Sequence, residues 1–135
     1  MVLDTSALLA ILMNEPEAGG FAVAIEFDPR RLVSAGSLLE TAIVAESRWG
    51  DDGGRELDLL TAKAGIEVAP VDAEQVEIAR EAFRRFGKGR HPAGLNFGDC
   101  FAYALSRASG EPLLFKGGDF AQTDVARVDI EELPE

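Results

Sequence analysis

Met1-Val2-Leu3-Asp4-Thr5-Ser6-Ala7-Leu8-Leu9-Ala10-Ile11-Leu12-Met13 decides how the rest of the chain is read. The short apolar run Val2-Leu3 meets three residues whose side chains cap helices, Asp4-Thr5-Ser6, and a strong helix former follows over 7–13. A strand this short and apolar has no wet face, and its direct passage into a helix is the unit of a parallel sheet buried under helices. The pattern recurs along the chain. A helix over 16–27 starts on Pro16 and stops at Asp28-Pro29. Residues 31–35 read as a strand, and Ser37 opens a long helix to about Trp49. Gly50-Asp51-Asp52-Gly53-Gly54 reads as a turn before a helix over 55–64, with a strand over 66–71 beyond it. Asp72-Ala73-Glu74 caps a helix ending near Gly87. After a Gly-, Pro- and base-rich loop over 88–95, Asn96 caps a helix that Gly110 closes near Ser109. A buried strand over 113–115, a Gly117-Gly118 turn, an edge strand over 126–130 and a frayed acidic tail over 131–135 complete the reading. There is no repeat or linker, so residues 1–135 are expected to form one α/β domain with a mainly parallel sheet.

Composition narrows the chemistry. With 135 residues, 47% apolar and 27% charged, the chain has the makings of one soluble core. Acids outnumber bases 24 to 13, for a formal charge of −11, which argues against coating nucleic acid or an anionic membrane by bulk attraction. One cysteine, Cys100, and one histidine, His91, exclude an internal disulfide, a thiolate-rich zinc cage and a multi-histidine metal site. No apolar run reaches the ~20 residues a spanning helix needs, and the start lacks the form of a signal peptide. The expected location is the cytoplasm of a prokaryote, and demanding chemistry must rest on carboxylates.

In an open parallel sheet, ligands bind outside the carboxyl ends of the strands. Asp4 follows the first strand; Glu40 falls in the first turn of the helix after the second; Asp119 comes just past the last; Asp99 sits in the first turn of the helix that feeds that last strand. Plain alternatives exist for three of them. Asp4 could cap its helix, Asp99 could be a first-turn acid pointing away from an apolar stripe of Phe97, Cys100, Phe101, Ala104, Leu105 and Ala108, and Asp119 could be a turn residue. Glu40 is harder to dismiss, because Leu38-Leu39-Glu40-Thr41-Ala42-Ile43-Val44-Ala45 is apolar on nearly every side. Glu46 shares its wheel position but stands far from the helix start. A carboxylate cluster needs a counter-charge, and the hard cations Mg²⁺ and Mn²⁺ supply one while assisting phosphodiester hydrolysis.

These residues, in this order, resemble the PIN-domain ribonucleases and among them the VapC-type toxins of bacterial toxin–antitoxin pairs. The resemblance rests on Val2-Leu3-Asp4-Thr5-Ser6-Ala7-Leu8, Ser37-Leu38-Leu39-Glu40-Thr41, Leu95-Asn96-Phe97-Gly98-Asp99-Cys100 and Pro112-Leu113-Leu114-Phe115-Lys116-Gly117-Gly118-Asp119-Phe120. It implies a three-layer α/β/α sandwich and an endoribonuclease dependent on Mg²⁺ or Mn²⁺. Asp4 and Asp99 would be the main metal ligands, Glu40 would coordinate the ion or orient its bound water, and Thr5, Ser6 and Asn96 would support the acids. Asp119 is the choice for a fourth acid and Asp124 its competitor; in many relatives an acid or amide stands two residues earlier, where this chain has Gly117. The resemblance also implies a VapB-type antitoxin whose tail wraps the toxin, and a homodimer. Leu8, Leu12, Phe21 and Ile25 are expected to line the groove for that tail, with plain core as the alternative.

Arg84, Arg85, Lys88, Arg90 and His91 lead toward the Asp99 helix and, with Lys116, could line a local path for RNA; the alternative is a solvated helix end. His91 is not expected to be a base, and Cys100 reads as core. Two competing functions remain: a PIN-like binding module without activity, and a phosphoacceptor receiver domain with Asp72 as acceptor and Lys116 after the last strand.

Overall fold

The computed structural model describes residues 1–130 and shows a four-stranded, wholly parallel sheet of order β3-β2-β1-β4. The strands are β1 (Val2–Leu3), β2 (Leu32–Ser34), β3 (Glu67–Ala69) and β4 (Leu113–Leu114). The helices are α1 (Thr5–Leu12), α2 (Ala18–Phe27), α3 (Ala35–Trp49), α4 (Asp51–Lys63), α5 (Ala73–Phe86) and α6 (Phe97–Ser109). Alternation along each short strand divides the interior in two. Val2, Leu32 and Leu113 pack with Ala82 and Phe86 of α5 and Ala102, Tyr103 and Leu105 of α6. Leu3, Val33 and Leu114 face the opposite way, onto Ala7 and Leu8 of α1 and Phe21, Ala24 and Ile25 of α2, with Leu38 and Leu60 beside them. Two cores on one sheet make the three-layer sandwich.

Several boundaries differ from the sequence reading, each for a physical reason. The stretch read as a turn at residues 50–54 is mostly helix: Gly50 alone turns the chain, with φ 62°, and α4 starts at Asp51. Gly53 lies inside the α3–α4 contact, where a Cβ would strike the carbonyl group of Ala45, so these glycines serve close helix packing rather than a loop. β3, at one edge of the sheet with Glu67 and Val68 exposed, is limited to three residues because its one partner, β2, offers only Leu32–Ser34 for pairing. The edge strand expected over 126–130 reduces to a single parallel bridge between Arg127 and Leu113, held by Leu113 N–H to Ala126 O at 2.8 Å and Val128 N–H to Leu113 O at 3.0 Å. α3 starts at Ala35, capped by Ser34 whose Oγ accepts from Gly36 N–H, which puts Glu40 in its second turn. The tail over 131–135 lies outside the described residues.

α6 corrects the wheel drawn from sequence. Phe97, assigned to the buried stripe, is 80% exposed, whereas Ala102, Tyr103 and Ser106 on the supposed wet face are buried. The helix is covered on several sides, since it packs on α5, α3, β1 and β2 together. Leu8, Phe21 and Ile25 belong to the core, so the groove expected among the early helices is not lined by them. No helix among the described residues is long and apolar enough to cross a membrane.

The packing has a direct consequence for stability. Leu114→Ala, at a 1% exposed strand position, should cost about 2–5 kcal/mol. Leu39→Ala, at a 62% exposed position on α3, should stay within about 0.5 kcal/mol. Urea unfolding midpoints of the two variants check both values.

Candidate active site

All four strands point the same way, so their carboxyl ends share one rim. Asp4 leaves β1 there, held by Asp4 N–H to Leu114 O at 3.0 Å. α6 runs back against the strands before feeding β4, which brings its first turn, with Asp99, to that rim.

Asp4 is 4% exposed and is the N-cap of α1. Its Oδ2 accepts from Ser6 N–H at 3.0 Å and Ser6 Oγ–H at 2.6 Å. Ser6 Oγ in turn accepts from Lys116 N–H at 2.9 Å, so one hydroxyl ties the acid after β1 to the chain leaving β4. Asp99 belongs to a capping box: Asn96 Oδ1 accepts from Asp99 N–H at 2.9 Å, and Asp99 Oδ2 accepts from Asn96 N–H at 3.0 Å. In both acids the protein's bonds go to Oδ2, and Oδ1 carries none of them. Glu40 is half-buried, its carboxylate lying against the Cα of Gly98. Asp119 is exposed at the edge of the group.

Electrostatics show that these acids are neighbours. Burial pushes the Asp4 carboxyl up to about 6 against the two Ser6 hydrogen bonds, and the charges of Asp99 and Glu40 push it further the same way. Asp99 is raised as well, by burial first and then by Asp119 and Glu40, against the hydrogen bond from Asn96. Among the described residues none of the four forms an ion pair.

Other expected residues lie elsewhere. Thr5 Oγ1 donates to Ser37 O at 3.1 Å, and Thr41 Oγ1 to the same oxygen at 2.8 Å, so Thr5 fastens α1 to α3 rather than bonding an acid. Asp124 belongs to a separate network, accepting from Tyr103 Oη–H at 2.5 Å and pairing with Arg85 at 3.2 Å and Arg107 at 3.3 Å. Arg84 pairs with Glu81, and Lys116 with Glu15 and Glu17; with Arg85 on Asp124, three of the bases expected along an RNA path are occupied. Lys88 and Arg90 are exposed, with Arg90 over the Phe83 ring at 5.7 Å. His91 Nδ1 accepts from Ala93 N–H at 3.0 Å and its ring meets Phe86 edge-on, a loop-fastening role. Burial pushes the Cys100 thiol up to about 11, which leaves it inert at neutral pH. Asp72 follows the edge strand β3, is exposed and caps α5 by accepting from Gln75 N–H at 2.9 Å, and it is not among the carboxylates whose charge Asp4 and Asp99 feel, so it does not suit a receiver's acceptor. Sequence reasoning missed Gly98, whose signal is positional: a glycine inside a helix, next to a candidate acid.

The PIN domain model matches residues 1–126. The chain belongs to the PIN-domain family. Among relatives of this PIN protein, a ribonuclease VapC of Mycolicibacterium smegmatis is 59% identical over 128 residues, covering 95% of this chain and 99% of that one. Ribonuclease VapC30 of Mycobacterium tuberculosis is 56% identical over 128 residues, covering 95% and 98%. The fold is shared with two solved structures. VapC20 of Mycobacterium tuberculosis, titled a sarcin–ricin loop cleaving toxin, has TM-score 0.75 at 22% identity, over 94% of this chain and 97% of that one. VapBC-1 from nontypeable Haemophilus influenzae has TM-score 0.73 at 17% identity, over 97% and 98%.

Asp4 contributes one defined part of the pH dependence of the metal-free domain. Its folded value near 6 exceeds the ordinary 3.8, so the folded state binds the proton more tightly than the unfolded chain does. Its contribution is fully present below about pH 4 and is lost as pH rises through 6, a loss on the order of 3 kcal/mol. Melting scans in EDTA should show the Asp4→Asn variant gaining on the parent chain over that window and holding a constant lead above it.

Proposed function

We propose that this PIN domain is a divalent-metal-dependent endoribonuclease, the toxin of a VapBC-type pair, acting in the cytoplasm. The observation that carries the reading is the convergence of Asp4, Glu40, Asp99 and Asp119 on one rim without a compensating cation of the chain's own. As the side chains stand, no three His, Cys, Asp or Glu residues among the described ones close round a single point. The donor set nevertheless fits Mg²⁺ or Mn²⁺: the oxygens are hard, Asp4 and Asp99 each have Oδ1 outside the protein's own bonds, and the Gly98 backbone leaves room for Glu40. Asp4 and Asp99 would hold the ion, with Glu40 and Asp119 beside them.

Bound there, the ion supplies the counter-charge for a phosphodiester and makes water a better nucleophile. The chain's residues do the rest. Ser6 fixes the Asp4 carboxylate from both its N–H and its hydroxyl, and Asn96 fixes Asp99 through the capping box, so neither acid has to be ordered when substrate arrives. Glu40 orients the attacking water and takes up its proton. RNA approaches over Lys88 and Arg90, while Arg84, Arg85 and Lys116 reach it only by giving up their acidic partners. A basic side chain of the antitoxin tail answers the same uncompensated charge. The chain pairs with a second copy: α5 and α6 leave an apolar groove of about 510 Å³ lined by Val76, Phe83, Phe97 and Phe101, a face suited to such pairing.

The test is cleavage of a mixed cellular RNA pool with Mg²⁺ or Mn²⁺. Discrete cuts should vanish in EDTA and in Asp4→Asn and Asp99→Asn, and Glu40→Gln should slow them by about 100-fold or more. Asp124→Asn should cut like the parent chain, its cost confined to stability. A folded parent chain that cuts nothing while retaining antitoxin would instead make the domain a binding module.

A further inference from the structure

We propose that Gly98 is the positioning residue for Glu40, a role that rests on the nuclease reading above. α6 begins Phe97-Gly98-Asp99, and a Cβ on Gly98 would fall on the Glu40 carboxylate, 2.6 Å from Cδ and 2.7 Å from Oε1, with Oε2 nearer still. The carboxylate therefore occupies the volume that any other residue's Cβ would fill, one position before Asp99. Gly98 sits in an ordinary helical conformation, so its lack of a side chain is not explained by backbone strain.

What the missing side chain spares separates this glycine from others on helices. At Gly36 a Cβ would meet the Phe101 ring at 2.5–2.8 Å, and at Gly53 the obstruction is backbone, the Ala45 carbonyl group. Those sites set helix packing. At Gly98 the obstruction is the far end of a flexible side chain, which can rotate aside without moving any helix. A methyl there leaves the fold intact and evicts the one acid that α3 contributes to the rim. Gly54 provides an internal control: its Cβ would meet the carboxylate of Glu46, at 2.7 Å from Oε1, and Glu46 is an exposed acid away from the rim.

The experiment measures Mn²⁺ affinity of the full chain, from the electron paramagnetic resonance signal of free Mn²⁺, together with melting temperature and RNA cleavage. Gly98→Ala should weaken Mn²⁺ binding about tenfold, with a matching loss of cleavage and little change in melting temperature. Gly54→Ala should bind Mn²⁺ like the parent chain. The decisive comparison is non-additivity. Gly98→Ala should cost nothing further when placed on Glu40→Gln, which has no carboxylate to misplace. It should also cost nothing further on Glu40→Asp, whose carboxylate is drawn back by about 1.5 Å. Should Gly98→Ala melt early, the Glu40→Asp background decides: recovered folding with no Mn²⁺ penalty supports the role, and persistent instability overturns it. Parent-like Mn²⁺ binding by Gly98→Ala, or a penalty that adds in full to Glu40→Gln, also overturns it while leaving the nuclease reading standing. A parent chain that neither binds Mn²⁺ nor cuts RNA sinks that reading, and the positioning role with it.

Discussion

Asp4 is held almost out of water with two other carboxylates as neighbours, and the cost of ionising it there governs much of the surrounding structure. Burial alone lifts its carboxyl well above the ordinary range, and Ser6 offsets only part of that with two hydrogen bonds. A lone structural cap would sit more cheaply at the surface, as Asp72 does at the start of α5. Keeping an ionised acid inside, beside Asp99 and Glu40, costs folding free energy that protonation or a bound cation would return.

Close approach of backbone is what allows so many acids to meet in so small a domain. The strands are two or three residues long, so each acid comes from a neighbouring loop or helix rather than from the sheet itself. Ser6 joins the chain after β1 to the chain after β4, and Thr5 joins α1 to α3 through Ser37 O. Gly36 lets α3 settle on Phe101, which brings Glu40 toward α6, and Gly98 gives its carboxylate a place to stand. Each contact is small, and together they tie the segments that carry the acids to one another.

Much of this was legible in the chain because it depends on local rules. Strand-to-helix alternation specified a parallel sheet, and a parallel sheet specifies a common rim, so Asp4, Asp99 and Asp119 could be brought together before any coordinates. Glu40 was singled out by apolar neighbours, although Leu39 and Ile43 turn out to be 62% and 56% exposed, so the argument from burial overstated its case. What sequence alone could not convey was packing between distant segments. Phe97 reads as core by periodicity yet is exposed, Gly53 and Gly54 read as a turn yet are helical, and Asp124 could stand for Asp119 until Tyr103, Arg85 and Arg107 claimed it. Helical wheels assume one buried face, and α6 has several.

The charge distribution follows from the same arrangement. A chain of net charge −11 repels RNA at long range, and ion pairs quench three of the bases nearest the Asp99 helix and the end of β4. Attraction must therefore be local and conditional. A divalent ion at the rim would offset part of the charge of its four acids; without one, they share the rim with no ion-pair partner among the described residues. That condition suits a basic antitoxin side chain as well as it suits a metal ion carrying a phosphate, since both answer one electrostatic demand. On the proposed reading, substrate and inhibitor would compete for a single deficit of positive charge, the one created where the fold brings Asp4, Glu40, Asp99 and Asp119 together.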